Sequence, residues 1–280
     1  MYHFTENINW DGFFPFDKKW VEDMHLAALP DASKAVLPVI LSFCNENGVS
    51  FPSYETIGAL AGLTPRTVQE AVKGLRGFPG FEIEKFQTRH GRIANRYHMT
   101  KFPPKDETGR SFFFFKSFIE GGNWRMLEKR VSPGLYLVMR HFAYFDAETY
   151  LAEDENESMC DWEIPLVYSV RKWDLCEAEI SIMAKYAGIT RPSVYEGLRD
   201  LEERHFIAET DRTDDGARCW RVYVQHQPKF YKRDYLNQVI GDANRKERER
   251  IAACKKSSGG PVKNLPKRVK KTAQRKGVPC

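Results

Sequence analysis

Long apolar runs are missing from this chain. No stretch approaches the roughly 18 apolar residues that a membrane-crossing helix needs, so a soluble protein is expected. Paired cysteines are missing too. Cys44, Cys160, Cys176, Cys219, Cys254 and Cys280 include no C-x-x-C spacing, and no secretory leader stands before them, which points to a reducing cytoplasm. The signatures of common catalysts are also absent. G-x-x-x-x-G-K-[ST] does not occur, which argues against a P-loop ATPase, and neither does G-x-S-x-G. His3, His25, His90, His98, His141, His205 and His226 never form H-x-H or H-E-x-x-H, so the closely spaced metal histidines of a rolling-circle nickase are not there. Glu153, Asp154 and Glu155 could hold a hard cation, but a flexible acidic loop accounts for them more simply. The expectation is a non-enzyme with no catalytic residue, no metal and no cofactor.

An excess of charge of one sign is lacking until the chain is divided. The 280 residues carry 43 Lys and Arg against 38 Asp and Glu, for a net +5, and 42% are apolar, enough for ordinary cores without disulfide staples. From Gly241 to Cys280 there are thirteen basic residues against three acidic ones, a net +10, which leaves the first 240 residues at −5. Much of that acidity lies between Asp146 and Glu163, where eight carboxylates meet no Lys or Arg. DNA binding by the folded part therefore cannot be argued from bulk charge and must rest on where positive groups are presented.

The most informative stretch runs from Ser53 to Thr100. Ser53 suits an N-cap, Ile57, Leu60 and Ala61 fall at helical spacing, and Gly62 permits a sharp turn over Leu63. Thr64 followed by Pro65 starts a second helix, whose inner face is Val68, Ala71, Val72 and Leu75. Its outer face, Arg66, Thr67, Gln69, Glu70, Lys73 and Arg76, is rich in donors long enough to reach base edges or phosphates, and only Glu70 has the wrong sign. The period then changes to two. Phe81 and Ile83, then Ile93, Asn95, Tyr97 and Met99, read as a hairpin whose tip carries Arg89, His90 and Arg92. Helix, turn, helix and hairpin make a winged helix-turn-helix, a unit used both to read DNA and to dock protein. Upstream, Phe13 to Phe16 reads as a strand. Asp31 reads as the cap of a first helix with a stripe of Val36, Val39, Ile40 and Phe43, bent at Pro38.

An internal repeat extends this pattern. Phe13 to Phe16 match Phe112 to Phe115 at an offset of 99 (Pro15 against Phe114), and Val36, Val39 and Phe43 fall on Leu135, Val138 and Phe142. At an offset of 126, Ala61, Gly62, Thr64, Val68, Glu70 and Leu75 meet Ala187, Gly188, Thr190, Val194, Glu196 and Leu201. The 27-residue difference between the offsets is an insertion holding the acidic segment. The second copy has expected caps at Ser132 and Thr190, and a helix showing Arg191, Ser193, Tyr195, Glu196, Arg199 and Asp200 outward. Its wing carries Arg212 and Arg218 around Asp214 and Asp215, acids that would repel phosphate. The expected fold is α+β and mainly helical, with two winged helix-turn-helix domains in tandem. Residues 1–102 form the first, 103–110 a polar linker, 111–240 the second with its acidic insertion near 146–175, and 241–280 a basic, largely disordered tail. That tail is either a solubiliser or an arm that neutralises phosphates.

The aromatic lead-in, the segment FPSYETIGALAGLTPRTVQEAVKGL and the short wing ending in NRY resemble the winged-helix replication initiators of plasmids and related replication proteins of phages and mobile elements. The resemblance spans roughly residues 12–225. It implies sequence-specific binding of double-stranded DNA at origin repeats and recruitment of host replication proteins, with no bond chemistry. It also implies DNA contacts by Thr64, Arg66, Thr67, Gln69 and Lys73, by Arg89 and Arg92 of the first wing, and by Thr190, Arg191, Ser193, Tyr195 and Arg199; the outer-face and wing patterns add Arg76, His90, Arg212 and Arg218 as candidate contacts. A monomer on an asymmetric site is the preferred arrangement, a homodimer the other. Bacterial transcription regulators share much of the same helix-turn-helix pattern, so a winged-helix regulator is the alternative, and a protein-docking adaptor a third.

Overall fold

The computed structural model describes residues 12–87, 93–100, 111–144, 173–210, 218–224 and 245. Residues 1–244 form one compact unit, to which everything below refers, and 245–280 form a second. Several expectations fall outside the described residues: the wing-tip residues Arg89, His90, Arg92 and Arg212, the linker 103–110, the acidic segment and the basic tail.

The first half runs β1 (Phe13–Asp17), α1 (Lys19–Glu22), α2 (Asp31–Ser42), β2 (Val49–Ser50), α3 (Tyr54–Ala61), α4 (Pro65–Gly74), β3 (Phe81–Gln87) and β4 (Ile93–Met99). The second half repeats the order: β5 (Ser111–Phe115), α5 (Lys116–Glu120), a 3-10 turn at Trp124–Met126, α6 (Ser132–Phe142), β6 (Trp173–Cys176), α7 (Ile180–Ala187), α8 (Arg191–Glu203), β7 (Ile207–Glu209) and β8 (Trp220–Tyr223). Two three-stranded antiparallel sheets, β2-β4-β3 and β6-β8-β7, close the halves. The result is a mixed α+β fold of helices and small antiparallel sheets, consistent with winged-helix-like modules.

The two aromatic lead-ins are each other's partners. β1 and β5 form a two-stranded antiparallel ribbon with Phe13 opposite Phe115, Phe14 opposite Phe114, Pro15 opposite Phe113 and Phe16 opposite Phe112. Because Phe13 to Phe16 correspond to Phe112 to Phe115 in the repeat, exchanging the copies maps this register onto itself. A local two-fold axis therefore passes between the strands. Phe14 stacks on Phe114 and Phe16 on Phe112, with ring centroids 5.1 and 5.0 Å apart, contacts each worth about 0.5–1.5 kcal/mol beyond area burial.

Contacts away from the ribbon are reciprocal as well. α1 of the first half packs on α7 of the second, while α5 and the 3-10 turn pack on α3 of the first. Gly62 and Gly188, the left-handed C-caps of α3 and α7, each abut a backbone carbonyl of the other half. A Cβ at Gly62 would lie 2.7 Å from the Arg125 oxygen, and one at Gly188 2.2 Å from the Ala27 oxygen. Both glycines thus serve the turn (φ 69° and 65°) and the close approach between halves.

The central pair α2 and α6 is more deeply buried than periodicity implies. The single stripe expected on α2 is too narrow: every residue from Ser33 to Ser42 is buried, as is every residue from Ser132 to Arg140 on α6. Each helix faces its own half on one side and the other half on the other, so it must be apolar nearly all round. The polar exceptions are satisfied. Lys34, 1% exposed, donates from Nζ to Asp31 Oδ1 at 2.9 Å and to the last α7 carbonyl, Ala187 O, at 2.6 Å. Trp124 Nε1 donates to Ala35 O at 2.9 Å, again across the seam. One core cluster consequently runs from Phe14 to Val222.

Three local expectations are corrected. Asp31 is the first residue of α2 rather than its cap, Pro30 occupies the cap position, and the Asp31 carboxylate holds Lys34 instead. Ser132 is likewise inside α6, with Val131 at the cap. Its hydroxyl donates to Asp200 Oδ2 at 2.5 Å, and Asp200, expected to face outward, is buried because it also accepts from the backbone N–H groups of Glu128 and Lys129. Helical spacing alone puts Asp200 on the outer face. A carboxylate at that place turns inward because it meets the unsatisfied donors that lead into α6.

Candidate nucleic-acid interface

Capping residues set the geometry of α3 and α4. Ser53 Oγ accepts from Thr56 N at 3.1 Å, which starts α3. α3 ends at Gly62, and Thr64 Oγ1 accepts from Thr67 N at 3.2 Å to start α4 one short turn later, with Pro65 in the first position. Val68, Ala71 and Val72 bury the inner face of α4 against α2, where Ser33 Oγ donates to Ala71 O at 2.7 Å. The helix is thereby clamped on one side, and the residues of the opposite side stand exposed.

That outer side carries Arg66, Gln69, Glu70 and Lys73 exposed, with Thr67 half-buried beside the cap and Arg76 exposed just past the helix end. The Thr64 hydroxyl is engaged by Thr67 N and lies 2.9 Å from the Thr67 hydroxyl, so its first duty is to the helix. Lys73 pairs with Glu70 at 2.8 Å, but both side chains are more than half exposed, so a phosphate could replace the carboxylate at small cost. The helix therefore offers a guanidinium group, an amide and a releasable ammonium, with a second guanidinium, that of Arg76, just past its end, a donor array matched to guanine and adenine edges and to phosphates.

The second half repeats the construction with other side chains. Thr190 Oγ1 accepts from Ser193 N at 3.4 Å and caps α8. Val194, Leu198 and Leu201 are buried, and Arg191, Tyr195 and Arg199 stand exposed at successive four-residue steps along the helix. Glu196 is exposed beside them, where Glu70 stands in α4. Arg218, at the loop end of the second hairpin, is paired to Glu209 at 2.9 Å.

The first hairpin, β3 and β4, follows α4 in the chain. Its register pairs Phe81 with Met99, Ile83 with Tyr97, Lys85 with Asn95 and Gln87 with Ile93. Tyr97 and Met99 are buried, and the Tyr97 hydroxyl, pushed up to about 12 by burial, stays neutral while accepting from Asn95 Nδ2 at 3.3 Å. Lys85 and Ile93 lie on the side of the hairpin that holds the core, and both are exposed. Among the described residues, no three His, Cys, Asp or Glu side chains gather as a metal ion would need, and no helix is long and apolar enough to cross a membrane.

A helix-turn-helix domain family matches residues 27–78, which span α2, α3 and α4. No curated protein and no solved structure matches the chain. A helix-turn-helix domain is therefore present over this part of the chain, and with it the general potential to bind DNA.

Proposed function

We propose that the protein binds double-stranded DNA in a sequence-specific way as a replication initiator, recognising repeats at an origin and recruiting host replication proteins. In this reading the halves are two winged helix-turn-helix domains. α4 reads a major groove through Arg66, Gln69 and Arg76, with Thr64, Thr67 and Lys73 toward the backbone and Arg89, His90 and Arg92 at the first wing. α8 contributes Thr190, Arg191, Ser193, Tyr195 and Arg199, with Arg212 and Arg218 at the second wing. No bond is made or broken. The observation that carries the reading is the exposed donor face of α4, held by the Thr64 cap and a buried inner side within the matched helix-turn-helix segment.

The test has two stages. Gel-shift titration of the full chain against duplexes selected from a random library asks whether one sequence is preferred over bulk DNA by the about 10³-fold or more that marks specific recognition. A plasmid lacking its own origin, supplied with this gene and tandem copies of the selected sequence, is then expected to replicate. Specific binding without replication would favour the transcription-regulator reading instead, and no duplex preference at all would favour a protein-docking adaptor.

A further inference from the structure

An anion is retained at the middle of each helix face proposed to meet DNA. Glu70 is the sixth residue of α4 and Glu196 the sixth of α8, and the repeat lays one on the other. Around them the outer faces have diverged: Pro192 stands where Arg66 does, Tyr195 where Gln69 does and Glu202 where Arg76 does. The carboxylate stays, and so does a cation three residues after it, Lys73 or Arg199. Glu70 lies two residues from both Val68 and Val72, about 160° round the helix from each, so it points away from the buried side. Glu196 bears the same relation to Val194 and Leu198. Its side chain is exposed, and that of Glu70 is 63% exposed.

Helix stability does not account for the two carboxylates. Both stand past the first turn, where the helix dipole favours an acid. An ion pair accounts for one of them at most: Glu70 holds Lys73 at 2.8 Å, whereas among the described residues Glu196 makes no ion pair, although Arg199 stands at the same spacing. Exposed pairs of this kind add little in any case. On DNA, Lys73 turns to a phosphate, and Glu70 is left facing a polyanion without its cation. That place is repulsive unless a donor meets it. The major groove offers two, the N4 amino group of cytosine and the N6 amino group of adenine. A carboxylate only accepts, so it cannot use the N7 acceptor beside adenine N6 as an amide does, and cytosine suits it better.

We infer that Glu70 and Glu196 are specificity-determining residues, each accepting a hydrogen bond from the N4 amino group of a cytosine, so that two otherwise unlike half-sites share a C·G pair. This rests on the reading of α4 and α8 as major-groove helices and adds to it the base at one position of each half-site. Each carboxylate also rejects. Set against the oxygen of guanine or thymine, it is left unpaired among acceptors and phosphates.

The experiment uses the full chain on its library-selected duplex and reads affinity with each of the four base pairs at every position in turn. Wild type is expected to prefer one C·G pair in each half-site about fivefold or more over the other three pairs. Glu70→Gln should move the preference at one of these pairs from cytosine to adenine, because an amide pairs with adenine N6 and N7 together, and should leave the other half-site as it was. Glu196→Gln should do the same at the other. Pyrimidin-2-one in place of the first cytosine, which lacks the N4 amino group but still pairs with guanine, should weaken wild type by a similar factor and leave Glu70→Ala unaffected. Both residues are exposed, so every variant should melt as wild type does. Base preference unchanged in both glutamine variants, with affinity for all duplexes equal or raised, would show carboxylates that merely repel phosphate. That result overturns the inference and leaves the major-groove reading standing on Arg66→Ala. A shift in one variant alone overturns the shared pair, and if wild type prefers no duplex sequence, both readings fall together.

Discussion

Arg66 and Gln69 are where base identity would be read, because they are exposed near the start of a helix whose backbone cannot shift without disturbing Val68 and Ala71. Replacing both by alanine is expected to relax base preference by about 1–3 kcal/mol for each bidentate hydrogen-bonded pair removed, measured by competition between selected and scrambled duplexes. Lys73→Ala should weaken all duplexes alike, as removal of a phosphate ligand does. A second residue reports on the fold instead. His141, on α6, lies against Phe142 and Tyr186 with ring centroids 4.7 and 6.5 Å away. Burial, reinforced by the charge of Lys18, lowers its pKa from 6.5 to about 4. Between those values the unfolded chain holds a proton that the folded chain refuses, so stability is full above about pH 6.5 and falls as pH drops toward 4. The slope from this one group is at most about 1.4 kcal/mol per pH unit. His141→Gln is expected to flatten the fall between pH 6.5 and 5 in urea melts, and an unchanged slope would remove His141 as its source.

At the scale of elements, the contrast between α4 and α2 explains how much of the structure is legible in the sequence. α3, α4 and the first hairpin are legible because their signals are local: Ser53 and Thr64 as caps, Gly62 at the left-handed turn, Pro65 at the first helical position and Phe81 and Ile83 alternating with acidic residues. The surroundings of α2 and α6 are not, since a helix pressed between two halves looks in sequence like a helix with one generous stripe. Nor can the pairing of β1 with β5 be read, because the repeat shows that the strands are alike and says nothing of whether they meet. The donor face of α4 is legible as an outer face, whereas the buried carboxylate of Asp200 is not, its partners lying some 70 residues away in sequence. Asp200 ties α8 to the start of α6, and Arg204, which pairs with Glu128, adds a second tie. Asp200→Ala should therefore cost about 3 kcal/mol, because it strands two backbone donors and the Ser132 hydroxyl, whereas Glu196→Ala on the exposed side of α8 should change stability by less than about 0.5 kcal/mol. Denaturant midpoints for the two variants give a direct comparison.

For the whole molecule, the ribbon, the seam and the shared core make the halves one cooperative body. A fragment ending near residue 102 would leave β1 without its strand partner and expose Phe14, Phe16 and Leu37. Residues 1–244 are accordingly expected to unfold in a single transition by both circular dichroism and tryptophan fluorescence, and two separated midpoints would contradict that. The local two-fold axis bears on function too. The repeat makes α4 and α8 equivalent helices, within one chain and with different side chains: Arg66, Gln69 and Lys73 on one, Arg191, Tyr195 and Arg199 on the other. Symmetric dimers impose palindromes, and a fused, unlike pair should impose two unlike half-sites in opposed orientation, about one helical turn or 34–36 Å apart. The most direct test is selection of the full chain against a random duplex library, followed by measurement of stoichiometry on the winning sequence by light scattering or native mass spectrometry. The account predicts an asymmetric site of about 20 base pairs occupied by one chain. A perfect palindrome occupied only by two chains would contradict it.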